Sequence, residues 1–235
     1  MKNNIKCELA VIICYLLASA WFFFPIGKPE GGSMLFAMRL ALPAIVLAMG
    51  SFWLRPKLLM MAFWFCALGD VMGVLGCFEG QMGGFALAHI CFISFFGRAI
   101  RRAKEHSLLI IAMVSLFCLV PLGLAAWKVI PAITDLPIRI GCSVYALLLT
   151  GTVWTAIVRE YTVPLDRISN PFKAVYGAVA FLVSGFVLAW NKFVEHIPRA
   201  SVYIMFTYYF ALLLLFAGVE GSENSKSIKK IPKKV

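Results

Sequence analysis

An acid inside an apolar run is the first residue here that could do chemistry. Asp70 stands in FWFCALGDVMGVLGCF, residues 63–78. Aspartate is among the least tolerated side chains at the centre of a bilayer helix, at about 2.5–3.5 kcal/mol on insertion scales. A carboxyl placed there faces other helices or a water-filled cavity, and function explains it better than packing does. Further polar side chains share apolar surroundings: His89, Tyr145, Ser184, Tyr208 and Tyr209, with Asn191 at the end of a run. A carboxyl, an imidazole and phenol hydroxyls together can move protons and hold a polar ligand. Taken singly, tyrosine, serine and asparagine serve as well as hydrogen-bond partners between helices.

Metal chemistry finds little support. The seven cysteines lie in or beside apolar runs without a CxxC, and read as small buried residues. Of the three histidines only His89 falls within a span, which leaves no three-histidine zinc site. No metal and no cofactor are expected.

Composition names the class of element that must position these residues. The chain has 235 residues, 62% hydrophobic and 14% charged, with mean hydropathy +0.89. Soluble domains are closer to about 45–50% apolar and about 25% charged. The expected fold is an all-α integral membrane bundle of about eight transmembrane helices. Spans are expected near residues 5–24, 33–51, 57–78, 83–98, 107–127, 137–158, 172–190 and 199–219. A crossing takes about 20 residues, so the fourth is short. The first lacks a small-residue cleavage site and runs into Trp21, Phe22, Phe23 and Phe24, so it is expected to be a retained helix and not a signal peptide. Residues 1–220 form one transmembrane domain, and 221–235 a basic tail expected to be disordered.

Orientation follows from Lys and Arg. With the N-terminus inside, only Lys28, Arg39, Lys128, Arg139, Lys192 and Arg199 of the 22 fall outside. That bias predicts cytoplasmic N- and C-termini, in what is expected to be a bacterial inner membrane. The net charge of +11 therefore calls for no nucleic acid. RRAK at 101–104 and the tail KSIKKIPKKV are expected to fix topology and touch anionic lipid head groups.

At a rise of about 1.5 Å per residue, position converts to depth. With these boundaries Asp70 lies about 12 Å from the outer end of its helix, His89 about 9 Å, Tyr145 about 12 Å, Ser184 about 9 Å, and Tyr208 and Tyr209 about 14–15 Å. Asp70, His89, Tyr145, Ser184 and Tyr208 are thus expected to line one cavity in the outer half of the membrane. Small-residue stripes agree: Cys66, Asp70, Gly73 and Cys77 on helix three, with Gly69 and Gly73 as a GxxxG, and Gly177, Ala180, Ser184 and Asn191 on helix seven. Such faces let helices approach closely.

RPKLLMMAFWFCALGDVMGVL, FEGQMGGFALAHICFISF, FLVSGFVLAWNKF and TYYFALLLLFAG, in that order, resemble the YhhN-like membrane proteins from about Pro56 to Gly218. The resemblance implies eight transmembrane helices and hydrolysis of the vinyl ether bond of lysoplasmalogens, to a fatty aldehyde and a glycerophospho-alcohol. It also implies two intramembrane aspartates, a GD on the third helix and an SD on the seventh. Asp70 matches the first. At the second, Ser184 is followed by Gly185. The family's GH is Ala88-His89 here, a tyrosine shortly after it is Phe92, and a glutamine after TYY is Leu212. Lys57, which anchors the start of helix three, gains a functional role through the same resemblance.

Vinyl ether hydrolysis begins with protonation of the β-carbon, and water captures the resulting oxocarbenium ion. The protein supplies an acid and a group that activates water, as glycosidases do with two carboxylates. Asp70 and His89 are the expected catalytic residues. Tyr145, Ser184, Asn191, Tyr208, Tyr209 and Lys57 are the expected substrate-binding residues, and a lysophospholipid or related amphiphile is the expected partner. His89, Tyr208 or Glu79 could stand in for the missing acid. Two other readings stay open: a family member that binds lysolipids without turning them over, and a proton-coupled transporter that uses Asp70.

Overall fold

The computed structural model describes residues 2–24, 34–103, 107–162 and 172–219. Among the described residues eight helical stretches are long and apolar enough to cross a membrane, the fifth counted through to Ala132. They are α1 (Lys2–Phe23), α2 (Met34–Leu54), α3 (Lys57–Val74), α4 (Phe78–Arg102), α5 (Leu108–Leu124), α6 (Leu136–Thr162), α7 (Lys173–Phe193) and α8 (Ala200–Ala217). No strand occurs among the described residues. The chain is an all-α integral membrane protein. The basic tail and Lys104 lie outside the described residues.

α5 continues through one π-helical turn, Ala125–Val129, into Ile130–Ala132. Pro131 has no N–H for the carbonyl four residues earlier, and its ring crowds that carbonyl. The wider turn lies directly ahead of it.

The α3–α4 junction differs from the sequence reading at both of its boundaries, for one physical reason. α3 stops at Val74, not at residue 78. Gly76 takes φ +75°, its N–H bonds Gly73 O at 3.2 Å, and the Cys77 N–H bonds Met72 O at 3.0 Å. That is a Schellman cap, which needs a left-handed residue past the helix end, a conformation glycine adopts without a Cβ clash. α4 then begins at Phe78 and runs 25 residues, so the fourth span is not short. Residues 79–82 look like a loop in sequence, yet they belong to α4, and Gly84 in the next turn serves close packing. A Cβ on Gly84 would stand 2.7 Å from Gly69 N and 2.8 Å from Gly69 Cα. The small stripe expected on α3 is the surface on which α4 rests.

The helices form a closed ring. α2 packs on α3, α3 on α4, α4 on α6, α6 on α7, α7 on α8, and α8 back on α2. α1 leans on α2 and α8, and α5 on α6. These two outer helices are the least buried of the eight. On the far side of the ring a Cβ on Gly177 would come within 2.9 Å of Leu215 N. The α7–α8 contact is therefore about as tight as the α3–α4 contact, and Asp70, Tyr145, Ser184 and Tyr208 line a space inside the ring.

Depth changes with the boundaries. Asp70 is four residues from the end of α3, about 6 Å, and His89 is eleven residues into α4, about 17 Å. Tyr145, Ser184 and Tyr208 lie about 12–14 Å from the ends of their helices. The expected single layer is spread along the helices, with Asp70 nearest the end of its helix and His89 furthest into its own.

Candidate active site

A cavity of about 310 Å³ opens inside the ring. Asp70, Tyr145, Ser184 and Tyr208 line it, with Gly73, Gln81, Phe85, Phe181, Gly185 and Ser201 among the other walls. Asp70 is buried, and the Tyr208 hydroxyl donates to its Oδ2 at 2.9 Å. That bond joins α3 to α8 across the cavity. Among the described residues lining it, Asp70 is the only carboxylate.

Aromatic rings surround this acid. Phe85, Phe181 and Tyr208 make a mutual edge-on cluster with centroids 5.3–6.0 Å apart. Such an arrangement places ring faces and edges in fixed relation, and ring faces attract cations.

A second, apolar pocket, the apolar branch, adjoins the cavity. Gln81, Phe85, Tyr145, Gly185 and Leu188 belong to both. Beyond them the branch runs between α6 and α7 to Pro121, Ala125, Val129 and Ile130, at the π turn of α5. A cavity that holds Asp70 and an apolar pocket therefore lie side by side. Gly185 sits where they meet.

The YhhN family model matches residues 32–219. The chain belongs to the YhhN family. The match begins at residue 32, two residues ahead of α2 and further toward the N-terminus than the motifs that carry the resemblance in the sequence. Lysoplasmalogenase TMEM86B of Homo sapiens is 28% identical over 207 residues, 85% of this chain and 82% of the human protein. A protein of Mycobacterium bovis named lysoplasmalogenase is 29% identical over 218 residues, 93% of this chain and 70% of that protein. Lysoplasmalogenase TMEM86B of Sus scrofa is 28% identical over 161 residues; the match covers 68% of this chain and 62% of the pig protein. No solved structure matches.

In this YhhN protein the expected site residues separate into those the fold gathers and those it does not. Asp70, Tyr145, Ser184 and Tyr208 share the cavity. The Ser184 hydroxyl donates to Ile204 O at 2.9 Å, so it also ties α7 to α8. His89 is not part of the wall. It is buried directly behind, against Phe181 at 4.6 Å and Tyr145 at 5.7 Å. The Tyr209 hydroxyl turns the other way and donates to Leu40 O at 3.0 Å. Asn191 Oδ1 accepts the Ile197 N–H at 2.8 Å and shapes the α7–α8 turn. Lys57 is exposed at the start of α3, thirteen residues and about 20 Å along the helix from Asp70. Glu79 is exposed in the first turn of α4.

Two polar residues went unnoticed in the sequence. Gln81 lines both cavity and branch, but a fourth helix begun at residue 83 leaves it in a loop. Thr152 is buried against His89. Its only sequence signal is a hydroxyl in an apolar helix, which most often returns to its own backbone.

Proposed function

We propose that this protein is a lysoplasmalogenase-type hydrolase that cleaves the vinyl ether bond of a lysolipid inside the membrane. One observation carries the reading: among the described residues one carboxyl, Asp70, lines the cavity, is held by Tyr208, and has an apolar pocket next to it. An amphiphile with one hydrocarbon chain suits that pairing. The hydrolase names of relatives at 28–29% identity point the same way.

The chemistry fits the residues. Tyr208 occupies Asp70 Oδ2, and Oδ1 is free to deliver a proton to the β-carbon of the vinyl ether. The positive charge that develops on the adjacent carbon and oxygen falls among Phe85, Phe181 and Tyr208, whose ring faces stabilise cations. Tyr145 and Gln81, which line the cavity, hold the glycerol or the head group in this reading. The apolar branch takes the chain.

A second reading follows from Gly185. With no second carboxylate among the described residues of the wall, the same cavity would suit a protein that binds a lysolipid without hydrolysing it. Purified protein in detergent separates the two. Aldehyde release from a lysoplasmalogen that falls by about 10²–10⁴ in Asp70→Asn supports hydrolysis. Saturable lysolipid binding with no aldehyde from the wild-type protein supports the second reading.

A further inference from the structure

The imidazole behind the cavity wall is held in one particular state. His89 Nδ1 lies 2.9 Å from Thr152 Oγ1. The Thr152 hydroxyl also lies 3.0 Å from Leu148 O, to which it donates. His89 Nε2 is buried and has no hydrogen-bond partner. A hydroxyl has one hydrogen and two lone pairs, while a carbonyl only accepts. With its hydrogen on Leu148 O, Thr152 has only lone pairs to offer, so Nδ1 carries the ring proton. In the opposite arrangement Thr152 donates to Nδ1. The bond to Leu148 is then lost, and a buried N–H is left without an acceptor. One hydrogen bond survives there where two survive in the first.

We propose that Thr152 is a positioning residue that fixes His89 as the Nδ1–H tautomer, leaving Nε2 as a buried acceptor for a hydroxyl that reaches it past Tyr145 and Phe181. Which ring nitrogen is protonated is set by the partner of the other, and an orphaned buried acceptor is satisfied when a donor arrives. The donor is an O–H group, either water or the free alcohol of a lysolipid glycerol.

The catalytic part of the proposal rests on the hydrolase reading. Asp70 gives its proton to the β-carbon, and the vinyl π pair forms the new C–H bond. Water adds to the oxocarbenium carbon, a C–O bond forms, and the proton that water loses goes to Nε2. The hemiacetal then collapses. The imidazolium returns its proton to the leaving ether oxygen as that C–O bond breaks, and the Asp70 carboxylate takes the hydroxyl proton. Aldehyde and alcohol leave, and both residues regain their starting states.

The tautomer is measured without turnover, so its outcome is independent of whether the protein is a hydrolase. In a His106→Gln, His196→Gln background, His89 is the only imidazole, and its 15N spectrum reports both nitrogens. A protonated Nδ1 beside an unprotonated Nε2 is expected in the otherwise unchanged protein and in Thr152→Ser. Thr152→Val is expected to mix the tautomers or reverse them. A protonated Nε2 in the parent protein overturns the proposal even when no Thr152 variant folds. An unchanged spectrum in folded Thr152→Val also overturns it. Two lysophospholipid probes distinguish the donors. If a probe with a free glycerol hydroxyl moves the Nε2 signal and its O-methylated counterpart does not, the lipid alcohol is the donor. Equal movement by both identifies water.

Discussion

The Tyr208 hydroxyl donates to Asp70 Oδ2 at 2.9 Å, joining residues 138 positions apart on helices that are not sequence neighbours. Inside the ring this bond both satisfies a costly acid and orients it. Tyr208→Phe keeps the ring and removes only the donor. An unsatisfied buried partner costs about 1–3 kcal/mol, so thermal unfolding in detergent is expected at lower temperature. Aldehyde release is expected to fall as well. An unchanged melting temperature would mean that the bond does not hold Asp70.

Gly185 offers a gain-of-function test. A Cβ there would stand 2.8 Å from Leu149 Cδ1 and 3.7 Å from Tyr145 Cε1. The first neighbour is the far end of a flexible side chain, so Gly185→Asp can be accommodated if Leu149 turns. If a second acid is what the cavity lacks, Gly185→Asp raises lysoplasmalogen hydrolysis by about 10²–10⁴. Asp70→Asn in that background removes the gain, since an amide keeps the shape without the proton. A folded Gly185→Asp protein with wild-type turnover would show that the second acid is not limiting.

Adjacent glycines in α4 are predicted to behave oppositely. Gly84→Ala drives a Cβ to 2.7 Å from Gly69 N, whereas at Gly83 nothing lies within 4 Å. Overpacking of that kind costs about 1–3 kcal/mol, while Gly→Ala in an open helix position stabilises by about 0.5–1 kcal/mol. Unfolding curves of the two single variants decide it. Equal stabilities would place α3 and α4 further apart than described here.

The distribution of the 22 Lys and Arg residues predicts that reporters fused after Lys104 and Val235 both read as cytoplasmic. An external signal at either site would reverse or break the arrangement.

The sequence by itself determined the class, the number of spans and the acid. A residue composition that is 62% hydrophobic cannot be placed in water, and backbone groups in lipid leave only helices or closed barrels. Asp70 stood out because a lone carboxyl in such a run is expensive. The small stripe on α3 was legible for a similar reason, since only small side chains allow backbones to meet. Tertiary structure decided the rest. Gly76 ended α3 early through a left-handed cap, and Gly80 fell inside α4, which begins at Phe78. Neither role can be told from a loop glycine by residue type. Tyr208 and Tyr209 are neighbours in sequence, yet α8 turns about 100° per residue, as 3.6 residues per turn requires. One hydroxyl therefore reaches Asp70 and the other Leu40 O. The link from Thr152 to His89 spans 63 residues and two helices, and only the packing of α4 on α6 brings it about.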